Sequence, residues 1–266
     1  MVETAETAPV LLRIADQVAW VTLNRPAVLN VLDQAMAVAL RDSLAKVADD
    51  ADVRAVVLAG QGRAFMGGGD LALFHRQPEQ APATADALIA LFHESIQAIH
   101  GMPKPVIASL QGAVAGGGMS LALACDLAIA ADDLRMTMAY SAIATTPDGG
   151  GTYSLPRLVG TRQAMALALL NDQVGAAAAE SYGLVQRVVP LAQLAAETER
   201  LALRLARGPT FAYGRIKRLI RGSFNASLSE QLEAERQGFV ACAATADFRE
   251  GIAAFFDRRP AKFAGR

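Results

Sequence analysis

This chain contains two glycine-rich turns that strongly constrain its fold. Each turn lies between an apolar strand-like run and an apolar helical stretch. The first turn is Ala64–Leu71 (AFMGGGDL), after the run Ala55–Ala59, and the second is Ala115–Leu121 (AGGGMSL), after Val106–Leu110. Glycine has no Cβ, so its backbone N–H can approach a ligand closely. A helix that begins at such a turn also offers unpaired N–H groups and the positive end of its dipole. Two of these turns facing each other can place two N–H donors on one developing oxyanion, which indicates an enzyme that acts on an acyl group.

The order of the remaining patterns predicts an α/β protein with an all-helical end. Repeated strand–turn–helix units followed by helices predict an α/β core over residues 1–190 and a helical C-terminal lobe over residues 191–266. The predicted strands are Leu11–Ile14, Val18–Leu23, Val53–Gly60, Val106–Leu110, Leu127–Ala130, Arg135–Met138 and Leu184–Val189. The predicted helices are Asp33–Val47 and Ala87–His100, with Asp33 and Asp86 as N-caps, then Ser120–Ala124, Gly160–Asn171, Leu191–Arg207, Phe211–Arg221, Ser227–Ala244 and Phe248–Asp257.

The composition favours a globular protein of the cytoplasm. The 266 residues are 53% hydrophobic and 19% charged, which allows a sizeable core, and the net charge of −1 gives no reason to expect nucleic acid. Cys125 and Cys242 have neither metal-binding nor redox spacing, and no metal is expected. The acidic start, MVETAETAPV, is unlike a secretory signal. The apolar stretch Ala113–Ala131 is broken by three glycines and Asp126, so we predict that it is core and does not span a membrane.

A series of short blocks runs in order through nearly the whole chain. They are NRP (24–26) with NVL (30–32), VRAVVLAG (53–60), AF (64–65) with GDL (69–71), GA (112–113) with GGG (116–118) and CD (125–126), PDGG (147–150), LPRLVG (155–160), EGIAAF (250–255) and RRPAKF (258–263). In this order the blocks resemble the crotonase family of enoyl-CoA hydratases and isomerases. They identify the family much more strongly than they identify the reaction.

The resemblance implies a fold and an assembly. Members of the family wind ββα turns into a superhelix and use a helical tail to build trimers, often paired into hexamers. We therefore expect a crotonase-like superhelix with a helical C-terminal oligomerisation lobe, and a homotrimer or hexamer.

The resemblance also implies a ligand, an acyl-CoA thioester, with coenzyme A as part of the substrate and no further cofactor. By position, the two oxyanion N–H groups fall on Gly69 and Gly117. Backbone contacts to the adenine and pantetheine are expected around Gly67, Asp70, Leu71 and Ala72. Four basic residues of the tail either reach the coenzyme A phosphates or form a solvated helix face: Arg215, Lys217, Arg218 and Arg221.

The residues around the expected oxyanion hole favour isomerisation over hydration. Hydratases of this family use two glutamates, and the matching positions here hold Ser120 and Tyr140. Asp148 remains, at a position where isomerases of the family shuttle a proton. One carboxylate can take a proton from C2 of a 3-enoyl thioester and return it to C4, and burial in an apolar pocket would raise its pKa toward the useful range. We expect Ser120 to leave room for the acyl chain and Tyr140 to line the acyl pocket.

Several alternatives stay open at this point. Asp148 could simply organise the Pro-Asp-Gly turn, or it could act as the nucleophile of an acyl-CoA hydrolase or dehalogenase. A hydratase and a catalytically silent acyl-CoA binder also remain possible. A serine hydrolase is disfavoured because all three histidines, which we expect on helix faces or at the surface, precede Ser120. Asp126 is expected to be a satisfied buried acid, and the segment Gln77–Asp86 to be a flap over the acyl pocket.

Overall fold

The structure, a computed structural model, describes residues 8–266, so residues 1–7, on which the prediction about a secretory signal depends, lie outside it. The strands are β1 (Val10–Ala15), β2 (Val18–Leu23), β3 (Ala55–Gly60), β4 (Ala64–Met66), β5 (Val106–Leu110), β6 (Ala113–Ala115), β7 (Leu127–Ala131), β8 (Arg135–Thr137), β9 (Val174–Gly175) and β10 (Arg187–Val189). The helices are α1 (Gln34–Asp49), α2 (Leu71–Arg76), α3 (Ala81–Gly101), α4 (Gly117–Ala124), α5 (Gly151–Val159), α6 (Thr161–Leu169), α7 (Ala176–Ser181), α8 (Leu191–Ala206), α9 (Thr210–Gly222), α10 (Leu228–Ala243) and α11 (Ala246–Phe256).

The strands form two sheets whose order explains the ββα repeat. The six-stranded sheet has the order β1-β2-β3-β5-β7-β10, and the four-stranded sheet has the order β4-β6-β8-β9. Each unit supplies one strand to each sheet and then a helix: β3-β4-α2, β5-β6-α4 and β7-β8-α5. The pairs β3·β5, β5·β7, β4·β6 and β6·β8 are all parallel, as helical crossovers require. The predicted α/β class and the ββα units are confirmed.

Local sequence signals fix several of these elements. The β1–β2 hairpin turns at Asp16 and Gln17, and both have positive φ. Asp33 caps α1 as predicted, since its side chain accepts from the Met36 N–H. The apolar positions Leu40 and Leu44 of α1 are fully buried in the main core.

The last quarter of the described chain is helical, as predicted, and packs on the core at two places. Ala202 of α8 is buried against Val57 and Ile107 of the large sheet. Lys217 and Arg221 of α9 both bind Asp126, which follows α4. The division at residue 190 and the expected role of this lobe in assembly remain expectations.

Two predictions of local structure are wrong. Asp86 is not an N-cap, because α3 begins at Ala81, five residues earlier, with a proline in its first turn where a helix tolerates it. The segment Gln77–Asp86 forms a 3₁₀ turn and the start of α3, and its expected role as a flap over the acyl pocket stays a prediction. Helix α4 begins at Gly117 and not at Ser120. The helix α5 was not predicted at all.

Candidate active site

The two glycine turns lie side by side because the strands before them are paired. Ala64 of β4 is opposite Ala113 of β6 in a parallel ladder, so both strands end at the same edge of the small sheet. The backbones then approach closely, and a Cβ on Gly68 would lie 3.1 Å from the carbonyl oxygen of Ala115. Gly68 and Gly116 have φ of +104° and +51°, which favours glycine at both positions.

The N–H groups of Gly69 and Gly117 are both available to a ligand. Gly117 is the first residue of α4, so its N–H has no acceptor within the helix. On the other turn, Leu32 donates to the Gly68 carbonyl (2.7 Å) and accepts from the Asp70 N–H (2.9 Å), which leaves the Gly69 N–H on the opposite side. Within residues 8–266, neither N–H has a protein acceptor. This geometry suits a two-donor oxyanion hole.

The residues after the first turn start a short helix at the surface. The Asp70 side chain caps α2 by accepting from the Ala72 N–H at 3.2 Å, and its Oδ2 is 3.5 Å from Arg25 Nη2. The Gly67 N–H donates to Leu29 (2.8 Å). Leu71 is 49% exposed and Ala72 is also exposed, so this rim is open to solvent.

A hydrogen-bonded group of three side chains lies beside the second turn. The Tyr140 hydroxyl donates to Oδ1 of Asp148 (2.7 Å). The Ser120 hydroxyl donates to the backbone carbonyl of Asp148 (2.8 Å) and lies 3.2 Å from the Tyr140 oxygen. Oδ2 of Asp148 has no protein partner among the described residues. The carboxylate is therefore held at one oxygen and free at the other.

Burial sets the protonation behaviour of this group. Desolvation raises the pKa of Asp148, while the hydrogen bond from Tyr140 and the nearby His93 act to lower it. Desolvation, together with the charge of Asp148, raises the pKa of Tyr140, so this phenol remains a proton donor at neutral pH. Asp148 is thus a carboxyl group whose pKa lies above the usual range, which suits a group that both accepts and returns a proton.

The two positions at which the resemblance implies glutamates in hydratases carry hydroxyl groups here. Ser120 is fully buried in α4, and Tyr140 is 7% exposed. The Ser120 hydroxyl is used within the protein, because it ties α4 to the Asp148 backbone. Neither side chain can act as a carboxylate acid or base.

The ring of Phe92 joins the second turn to the loop that carries Asp148. Phe92 is 1% exposed, and a Cβ on Gly117 would lie 3.6 Å from its Cε1 atom. Gly149, with φ of +57°, lies against the same ring. Phe92 therefore forms an apolar floor between the Gly117 N–H and Asp148.

His93 belongs to the site, although the sequence predicts only a surface position for it. It is exposed on α3, as expected, but its Nε2 accepts a hydrogen bond from the Gly149 N–H (3.2 Å). The sequence holds no signal for this contact, because His93 and Gly149 are 56 positions apart and meet only through tertiary packing. His75 is exposed and His100 half-buried.

A separate cavity of about 500 Å³ lies between α9 and the end of α4. On its wall, Lys217 Nζ is 2.8 Å from Asp126 Oδ2 and Arg221 Nη2 is 2.7 Å from Oδ1. The prediction that Asp126 is a satisfied acid is confirmed, although its side chain is 17% exposed and so only partly buried, and a fully solvated helix face is wrong for Lys217 and Arg221. Burial, helped by the two cations, lowers the pKa of His100 to about 4.

Residues 8–266 contain neither a metal-binding cluster nor a membrane-spanning helix. No group of three or more His, Cys, Asp or Glu side chains could hold a metal ion. In the same residues, every helix is too short or too polar to cross a bilayer.

The chain is similar to known proteins over nearly its whole length. Residues 13–266 match the pattern that describes the family "Enoyl-CoA hydratase/isomerase". The chain is 36% identical to the 1,2-epoxyphenylacetyl-CoA isomerase of Escherichia coli (strain K12), over 97% of this chain and 98% of that protein. It is 38% identical to a protein of Rhodobacter capsulatus named "Probable enoyl-CoA hydratase", over 95% of this chain and 96% of that one. Among solved structures, an enoyl-CoA hydratase from Polaromonas sp. JS666 superposes with a TM-score of 0.91 at 33% identity, over 96% of this chain and 99% of that one.

Proposed function

The chain belongs to the enoyl-CoA hydratase/isomerase family, and we propose that it is an isomerase that moves a proton along the acyl group of an acyl-CoA thioester by means of Asp148. The observation that carries this proposal is one partly buried carboxylate, Asp148, beside the second glycine turn, with hydroxyl groups at both positions where the resemblance implies the hydratase glutamates. Asp70, the other carboxylate near the turns, caps α2 and is paired with Arg25.

The proposed reaction is the shift of a 3-enoyl thioester to a 2-enoyl thioester. The N–H groups of Gly69 and Gly117 hold the thioester oxygen, and the free Oδ2 of Asp148 takes a proton from C2. The electron pair of the C–H bond moves into the thioester and gives an enolate, whose negative oxygen the two N–H groups stabilise. The neutral Asp148 then returns the proton to C4, and the double bond is left between C2 and C3. Loss of one oxyanion donor costs about 2.7–4 kcal/mol in well-studied acyl-transfer enzymes.

Hydration fits these residues less well. It needs a base for the attacking water and an acid for C2. The buried hydroxyl of Tyr140 already donates to Asp148, and that of Ser120 to a backbone carbonyl. A single carboxylate supports a proton shift within the substrate but leaves no second group for water.

The substrate class follows from the family and from the open rim of the first turn. We propose that the backbone at Gly67, Asp70, Leu71 and Ala72 contacts the coenzyme A part, with no cofactor beyond this part of the substrate. The relative from Escherichia coli is named an isomerase of a ring-bearing acyl-CoA, and we therefore include aromatic thioesters among the substrates to be tried.

The assembly and location of the protein belong to the same proposal. The last two helices present an apolar surface, on which Phe239, Phe255 and Phe256 are 68%, 77% and 76% exposed. This surface supports the proposal that residues 191–266 build a trimer or hexamer on a core of residues 1–190. Light scattering tests this, and a monomer at micromolar concentration would contradict it. We propose the cytoplasm as its location, which fractionation of cells can test.

The decisive assay compares substrates and one variant. The purified protein is given 3-enoyl-CoA and 2-enoyl-CoA thioesters, and the isomer and the hydrated product are both measured. We expect isomerisation and no fast hydration, and we expect Asp148→Asn to lose isomerisation while it still binds the thioester. Fast hydration of crotonyl-CoA would make the protein a hydratase. Release of free coenzyme A, dependent on Asp148, would make it a hydrolase, and release of halide from a haloaroyl-CoA, dependent on the same residue, a dehalogenase. Binding without any reaction would make it a silent acyl-CoA binder.

A further inference from the structure

We infer that His93 is a positioning residue for Asp148, acting through the peptide bond between Asp148 and Gly149. The inference rests on the proposed function, because it assigns a role in the proton transfer that Asp148 carries out. The imidazole contacts a backbone N–H and not the reacting atoms.

The peptide between Asp148 and Gly149 is held at both of its polar ends. Its carbonyl oxygen accepts from the Ser120 hydroxyl (2.8 Å) and from the Gly151 N–H (3.0 Å). Its N–H has His93 Nε2 as acceptor, at 3.2 Å. His93 therefore completes the set of bonds that fixes this peptide plane, and with it the direction in which the Asp148 side chain leaves the backbone.

His93 does not belong to the face of α3 that packs into the core. The buried face of α3 is formed by Leu88, Phe92, Ile96 and Ile99, whereas His93 is exposed. Gly149 has a φ of +57°. Because glycine has no Cβ, its backbone is freer to leave this conformation than that of other residue types. The hydrogen bond that the buried Gly149 N–H donates to the exposed His93 side chain supplies a restraint.

The bond requires a neutral imidazole with its proton on Nδ1, since a protonated imidazole has no lone pair to offer. The charged groups that bear on this state come from several elements. Asp148 interacts with His93 electrostatically from the loop before α5. Glu94 follows on α3 and lies 3.8 Å from Arg41 of α1. Helix α2, which also packs on α3, ends with His75 and Arg76, whereas α4 carries no charged side chain.

Two substitutions separate positioning from a general structural role. In His93→Leu the Gly149 N–H loses its acceptor, and we expect kcat to fall about two- to tenfold, the range for one hydrogen bond, with KM little changed. In His93→Gln a side-chain oxygen can accept the same N–H, and we expect most of kcat to return. Gln97→Leu, an exposed substitution one turn further along α3, is the matched control and should leave kcat unchanged.

A spectroscopic measurement tests the contact without any substrate. In protein labelled with ¹⁵N-glycine, the Gly149 amide should exchange its proton with solvent faster in His93→Leu than in the wild type, and at close to the wild-type rate in His93→Gln. Equal exchange rates in the wild type and His93→Leu, or equal losses of kcat in the Leu and Gln variants, would overturn the inference. The outcomes remain distinguishable, because a protein without isomerase activity defeats the proposed function while the amide exchange still decides the role of His93.

Discussion

Replacing Tyr140 by phenylalanine removes one hydroxyl from the site and leaves the ring in place. That hydroxyl donates to Oδ1 of Asp148 at 2.7 Å, the short distance found for bonds to charged oxygens, and it lowers the pKa of Asp148. A hydrogen bond to a charged group contributes about 1.5–3 kcal/mol. Without it, the proton affinity of the carboxyl rises by roughly ten- to a hundredfold, since about 1.4 kcal/mol corresponds to a factor of ten.

The dependence of kcat/KM on pH reports this change, because it follows the protonation of the free enzyme. Burial already raises the pKa of Asp148, and the loss of the Tyr140 bond acts in the same direction. The acid limb of the Tyr140→Phe profile should therefore lie at higher pH than that of the wild type. Ser120→Ala is the matched control, because the Ser120 hydroxyl donates to the backbone carbonyl and not to the carboxylate. An acid limb that stays in place, or moves to lower pH, in Tyr140→Phe would refute the reasoning.

Three further predictions concern folding. Asp126→Asn should lower the free energy of unfolding in urea by about 1.5–3 kcal/mol, because Lys217 and Arg221 lose the carboxylate while Lys217 keeps two backbone carbonyl acceptors; a cost below about 1 kcal/mol would argue against the ion pair. Gly118→Ala should lower the melting temperature, since its Cβ would lie 2.8 Å from the Cβ of Met66 in β4. The control Gly69→Ala meets nothing within 4 Å and should melt like the wild type. Equal melting temperatures of the two variants would contradict the packing. The folded-state pKa of Asp148 is raised above its unfolded value, so the wild type loses stability as the pH rises from the unfolded value through the folded one. Asp148→Asn avoids this loss, which is about 1.4 kcal/mol for each unit of difference, and should unfold at a higher temperature at neutral pH; the gap should close in acid, and a less stable variant at neutral pH would disprove the burial cost.

Local signals made much of the fold predictable. The Asp33 N-cap of α1 follows from the local sequence, as do the strands β3 and β5. The short strands β4 and β6, which directly precede the two glycine turns, have no such signal. The start of α3 was missed because Pro82 suggests a loop, although proline fits the first turn of a helix. Helix α5 was missed because it begins in a glycine run and contains Pro156.

The site was predictable only where the chain resembles its family. Asp148, Ser120 and Tyr140 could be placed by their positions, but their mutual hydrogen bonds could not, because the three side chains meet from separate elements. The Lys217–Asp126 pair joins residues 91 positions apart, and sequence reading left this lysine on a solvated face or at the coenzyme A phosphates. Such contacts depend on tertiary packing, which no local pattern records.

The central claim is that one carboxylate, Asp148, removes the proton from C2 and returns it to C4. A 3-enoyl-CoA thioester with deuterium at C2 tests this directly when it is converted in ordinary water. The account predicts that the 2-enoyl product carries part of the deuterium at C4 from the first turnover, and that Asp148→Asn abolishes this transfer. Deuterium transferred to C4 as efficiently by Asp148→Asn as by the wild type would show that another group moves the proton and would contradict the account.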